Sequence, residues 1–296
     1  MAIKSNTPAF ASVAVFFAAA IWGLFWIPLR YLEEIGLPGI WPALFINLPG
    51  AILMGLWLVI HWEDHRRHMA RALMIGIFTG GLGFGLFAVA VLYGTVIRVT
   101  LLFYLTPIWG TLIGIVWLGD RATWARWLAI GTGLAGMALL LAGGTAVPLN
   151  LGDLFGFLSG IGWAVGGALI MRFGAVPVAA SAFSQLFMGS LLILLCALVL
   201  ATPLPAPSLL LPALSVGFGT AVVMIIPTMM VIFWAQKILF PGRLGLLMMA
   251  EVMLAVISAS LLLPEEAMSG VEWIGAALII GACLLEIFLT PAETHG

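Results

Sequence analysis

RVTLLFYLTPIWGTLIGIVWLGD, residues 98–120, lies over RLGLLMMAEVMLAVISASLLLPE, residues 243–265, at a constant offset of 145 residues. Each stretch opens on an arginine (Arg98, Arg243) and closes on an acid (Asp120, Glu265), and Glu251 is the only charge inside either run. About 20 apolar residues is the length a helix needs to cross hydrocarbon. The runs are continuously apolar rather than alternating, which excludes a membrane β-barrel. Two such runs in register indicate an all-α membrane protein with a duplicated plan.

The rest of the chain agrees. Only 8% of its residues are charged, 64% are hydrophobic, and the mean hydropathy is +1.23. A water-facing shell cannot be built from that composition. Cutting at the polar punctuation predicts ten spans, at about 11–32, 38–61, 71–91, 97–118, 124–142, 153–172, 178–200, 209–234, 244–263 and 272–290. They use most of the chain, so no soluble domain remains. The first is too long for a signal-peptide core and is expected to stay as a helix.

Orientation follows from the basic residues. With the N-terminus cytoplasmic, Lys4, Arg66, Arg67, Arg71, Arg121, Arg126, Arg172, Lys237 and Arg243 fall on the inside and only Arg30 and Arg98 outside. Positive residues favour the cytoplasmic face, so both termini are expected inside. Each half then holds five spans, residues 1–146 and 147–296. An odd number of crossings makes the second copy enter from the opposite side. Such inverted repeats enclose a site near the midplane and rock around it in alternating-access transporters. Trp22 in AAIWGLF lies over Trp163 in GIGWAVG, and Asn47 over Gln185 more loosely.

These pieces carry a resemblance: the IWG of the first span, LTPIWGTLIGIVWLGD closing the fourth, GDLFGFLSGIGWAVGGALIMR as the sixth, and MAEVMLAVISASLLLPEE in the ninth. In order and spacing the chain resembles the EamA family of the drug/metabolite transporter superfamily over nearly its whole length. Within that family it is most similar to bacterial exporters of aromatic and other bulky amino acids. The resemblance implies a secondary transporter of the bacterial inner membrane that exports such amino acids, with a broad-specificity drug or metabolite exporter as the alternative. The chain departs from the family pattern at Glu251-Val252, where Glu-Pro is usual, at Asp120, where Glu is usual, and at Asn47, where a basic residue is common.

Glu251 is the sharpest site candidate. About eight residues into its span, at a rise of about 1.5 Å each, it sits about 12 Å deep. A carboxyl there is costly unless it faces a polar cavity or is protonated. It could meet a substrate ammonium or carry a proton. Its counterpart Thr106 is uncharged. Trp22 and Trp163 would form stacking walls or a cation–π contact, with Phe78, Tyr93, Tyr104, Trp109 and the run Met224, Met229 and Met230 extending the surface, although each also suits plain packing. Asn47 and Gln185 offer uncharged hydrogen bonds, to a solute or between helices. Pro28, Pro107 and Pro227, with Pro49, break helical hydrogen bonds inside spans and are hinge candidates. The pairs Gly76/Gly80, Gly81/Gly85, Gly156/Gly160 and Gly162/Gly166 suit close helix packing.

Other classes fit less well. An enzyme needs convergent acid, base or metal groups at one depth, and only Glu251 is deep. His61, His65 and His68 share HWEDHRRHMAR with Arg66 and Arg67, which reads as a solvated loop rather than a metal site. Cys196 and Cys283 read as packing residues. Carriers of phosphorylated solutes need buried Lys or Arg, and none lies deep in a predicted span. Arg98 is expected to snorkel to the outer interface. No nucleotide-binding motif occurs, so no cofactor and no ATP are expected. With a net charge of −1 no nucleic-acid partner is expected either. The expected partners are small-molecule solutes and membrane lipids, and the chain is compatible with a monomer.

Overall fold

The computed structural model describes residues 7–140, 148–262 and 268–289. Regular structure among them is helical throughout, as hydrocarbon demands, because backbone polar groups there find no partners but each other. In chain order the helices are α1 (Pro8–Glu34), α2 (Trp41–Ile60), α3 (Trp62–Tyr93), α4 (Val96–Leu118), α5 (Trp124–Leu140), α6 (Leu151–Arg172), α7 (Val178–Val199), α8 (Pro207–Ala235), α9 (Pro241–Leu262) and α10 (Gly270–Leu289). Nine are long and apolar enough to cross a bilayer. The exception, α5, has 17 residues and ends where the described stretch ends. Lys4, Glu265 and the expected boundary between residues 146 and 147 lie outside the described residues.

Five of these helices are irregular, and in four of them irregularities fall in corresponding places. α4 breaks at residues 104–105 and α9 at residue 249, positions related by the offset of 145. α3 widens to π-helix over Ile77–Gly85 and α8 over Ala221–Ile225. The break in α4 has a local cause. Pro107 has no N–H to give the Phe103 carbonyl four residues earlier, and that carbonyl instead accepts from the Thr106 hydroxyl. In α8 the π-turn ends at Ile225, two residues before Pro227, and Thr228 Oγ1 donates to Met224 O at 2.6 Å. α1 is also interrupted, at residues 23–25. Ahead of Pro28 the Leu24 carbonyl takes the N–H of Ile27. Its counterpart α6 runs unbroken.

Glycine fixes the helix contacts. A Cβ on Gly80 would lie 2.0 Å from Gln185 O, so α3 and α7 touch backbone to backbone. Gly160 meets Phe103 O of α4, and Gly136 and Gly275 join α5 to α10 in the same way. Small residues at these crossings are what association without a hydrophobic driving force requires.

Several expectations need correction. The segment from His61 to Arg71 is mostly helical rather than a loop, with Glu63, Asp64, Arg66, Arg67 and Arg71 exposed as expected. His61 stacks on Trp57 at 4.2 Å and His65 is buried beside it. Arg98 does not snorkel. It pairs with Asp153 at 2.7 Å and donates to Pro148 O, and Asp153 with Asn150 forms the capping box that starts α6. Trp41 is buried, and its indole donates to Pro203 O.

The basic residues at the opposite end are also engaged. Arg126, fully buried, pairs with Asp120 at 2.5 Å and Glu286 at 3.3 Å. Arg243 lies 3.8 Å from the same Glu286 and donates to Ser12 Oγ. This network ties α1, the end of α4, α5, α9 and α10. Nearby loops are joined by Lys237, which donates to Gly174 O and Val176 O, and by Arg172 over the Trp117 ring.

Candidate functional site

A cavity of about 330 Å³ lies between α1, α3, α4, α6, α7, α8 and α9. α2, α5 and α10 contribute no lining residue. Its floor lies toward the ion-pair network. There Gly23 of α1 sits so close to α9 that a Cβ would meet Glu251 O at 2.3 Å. Its lining runs the other way to Leu29 and to Val96, exposed at the first residue of α4.

The breaks in α4 and α9 place the polar chemistry. Tyr104 stands at one break and Glu251 two residues past the other, and both side chains face the cavity. The Tyr104 hydroxyl is buried with no hydrogen bond of ordinary geometry, and Glu251 is the charge that acts on it. The Gln185 amide oxygen is likewise buried and unbonded. Buried polar atoms are seldom left so, and here they are aimed at a space that a solute would fill.

The walls are rings. Trp22 and Phe25 stack in parallel at 5.4 Å, and Phe25 meets Phe84 edge-on at 6.3 Å. Phe87, Phe103 and Tyr104 continue as edge-to-face pairs at 5.2 Å. Trp163, leaning on Phe233, faces them from α6. Trp26 is held in place by an indole hydrogen bond to Ser258 Oγ at 3.0 Å. Met229 and Met248 complete an adaptable surface.

Of the residues singled out from sequence, Trp22, Tyr104, Trp163, Gln185, Glu251 and Met229 come together here. Asn47 and Phe78 do not. Asn47 donates from one amide nitrogen to Leu186 O at 2.7 Å and Ser190 Oγ at 2.8 Å, joining α2 to α7. Phe78 packs against the core from the π-turn of α3. Trp109 packs on Phe157, Tyr93 on Phe155, and Met224 and Met230 lie in or against the core. Pro28, Pro107 and Pro227 all flank helix irregularities without lining the cavity. Phe25, Trp26, Phe84, Phe87, Thr100 and Met248 escaped notice. Their spacing was a usable signal, since 96, 100, 103 and 104, like 248, 251, 252 and 255, recur at three and four residues and so share a helix face.

Comparison with known proteins agrees with this architecture. No curated protein matches the sequence. A solved structure, described only as a crystal structure of a protein, superposes with a TM-score of 0.70 over 95% of this chain and 99% of its own, at 21% identity. At that identity the likeness shows a shared fold. Residues 9–142 match the model of the EamA-like transporter family, a family of transporters rather than enzymes. The match makes residues 9–142 similar to that family, and with the nine long apolar helices among the described residues it marks a multi-pass membrane protein.

Proposed function

We propose that this protein is a secondary transporter that moves small amphipathic solutes bearing an amine, aromatic and other bulky amino acids among them, out of the cell across the bacterial inner membrane. The observation that carries the proposal is the lone Glu251 carboxyl set in a ring-walled cavity, beside the Tyr104 hydroxyl and an unbonded amide oxygen of Gln185. Rings receive the apolar body, and the carboxyl receives the ammonium. Met229 and Met248 in the wall favour a broad range of solutes over a single one.

Alternating access is supported by the matched breaks of α4 and α9 and the matched π-turns of α3 and α8. These fit two five-helix units, residues 1–146 and 147–296, in opposite orientations. With both termini cytoplasmic, the cavity mouth at Val96 faces outward and the ion-pair network closes the inner end. Uptake of labelled amino acids and amines into proteoliposomes, with and without a pH gradient, tests the proposal. Saturable uptake that Glu251→Gln strongly reduces is expected. Equal rates in the variant for every solute would remove Glu251 from the mechanism.

A further inference from the structure

The charges around the cavity narrow the substrate class, provided the transporter assignment above holds. Among the described residues no Lys, Arg or His lines it, and Glu251 is its only carboxyl. The basic residues nearest the mouth are engaged with carboxylates. Arg30, next to the lining residue Leu29, lies 3.2 Å from Glu34, and Arg98, between Val96 and Thr100, lies 2.7 Å from Asp153. A solute that enters therefore meets one acid and no free base.

Consider three solutes with the same phenyl body. An arylalkylammonium brings one positive charge to Glu251 and leaves the site neutral. A zwitterionic amino acid brings a carboxylate as well. That second anion must shed its water in a space walled by Trp22, Phe25, Phe84 and Phe103, with the Glu251 charge close by. Only dipoles such as the Tyr104 hydroxyl and the indole N–H groups of Trp22 and Trp163 can answer it, and a buried charge without a countercharge is strongly disfavoured. An arylalkanoate has the repulsion without the attraction.

We infer that the cavity selects monovalent organic ammonium ions with an aromatic or bulky apolar body and no carboxylate, and that amino acids are its weaker substrates. A cavity of about 330 Å³ is at the small end for ligand sites, which suits a single-ring amine rather than a large polycyclic drug. The rings add attraction specific to the cation.

The test uses the full-length protein in nanodiscs and follows tryptophan fluorescence, since Trp22, Trp26 and Trp163 all line the cavity. The probes are 2-phenylethylamine, phenylalanine and 3-phenylpropionate, with counterflow in proteoliposomes as a second readout. The amine should bind at least about tenfold more tightly than phenylalanine, because like charges brought together carry a large penalty, and 3-phenylpropionate should not saturate. In Glu251→Gln the amine should lose most of that advantage. Phenylalanine binding as tightly as the amine would overturn the inference while leaving the transporter assignment standing. An amine preference that survives in Glu251→Gln would overturn the assigned cause. If none of the three binds or exchanges, the transporter assignment of this cavity fails, and the inference with it.

Discussion

Replacing Arg126 by Met tests whether the buried ion-pair network holds the closed end of the molecule together. Arg126 and Glu286 are fully buried, and Asp120 and Arg243 are nearly so. The substitution keeps most of the apolar stem but takes the guanidinium from between Asp120 and Glu286, with Arg243 still beside Glu286. Removing one partner of a buried pair costs about 3–5 kcal/mol, because the other charge stays buried and uncompensated. At about 2 °C per kcal/mol for a chain of this size, the midpoint should fall by about 6–10 °C. Melting in detergent, followed by the monodisperse fraction on size exclusion, reads this directly. Adding Glu286→Gln removes a second charge, leaves Asp120 and Arg243 as one acid and one base, and should recover at least half the loss. An Arg126→Met midpoint within about 2 °C of wild type, too small for the loss of a buried partner, would refute the reasoning.

Asn47→Leu should lower the midpoint in the same assay. It removes the amide donor to Ser190 Oγ and Leu186 O in a buried contact, a loss of about 1–3 kcal/mol, and because Asn47 lies outside the cavity the ranking of transported solutes should not change. Trp22→Ala should change that ranking in competition uptake, by deleting the ring stacked on Phe25; an unaltered ranking would return Trp22 to packing. Gly80→Ala should sharply reduce the yield of folded protein, since its Cβ would sit 2.0 Å from a backbone oxygen, whereas Gly81→Ala, with open space around it, should express normally. Comparing the two size-exclusion profiles checks both.

Spans were legible because hydrocarbon imposes length and apolarity on every helix crossing it, and neither depends on tertiary detail. Burial of charge was not. Arg126 and Arg243 look from sequence like loop cations, yet each lies two residues into its helix, where α5, α9 and α10 converge and exclude water. Arg98 escaped for a related reason: its partner Asp153 is 55 residues away, brought near by the packing of α4 on α6. Glu251 was legible as a costly intramembrane acid. The rings around it were less so. In helices apolar on every side no amphipathic stripe distinguishes a cavity face from a lipid face, and Phe25, Phe84 and Phe103 look no different from Phe17 or Phe187, which are exposed. Asn47 misled because a polar side chain within a span satisfies the same expectation whether it meets a solute or a neighbouring helix.

The placement of the polar groups at helix breaks has a physical logic. A regular helix buries its backbone polarity and can offer a solute only side chains. Where α4 and α9 break, the chain changes direction, so Tyr104 and Glu251 project between helices rather than along their flanks. The two breaks are built differently. In α4, Thr106 spends its hydroxyl on the Phe103 carbonyl that Pro107 frees, so its polarity is consumed internally. In α9 no proline follows the break, Met249 N still donates to Leu246 O, and the residue matching Thr106 is Glu251, free to face the cavity. The pair of breaks thus comprises one stabilised by its own hydroxyl and one presenting a carboxyl. This asymmetry gives the cavity a single acidic pole, and under the proposed function it makes the orientation of a bound ammonium a consequence of which break carries the proline.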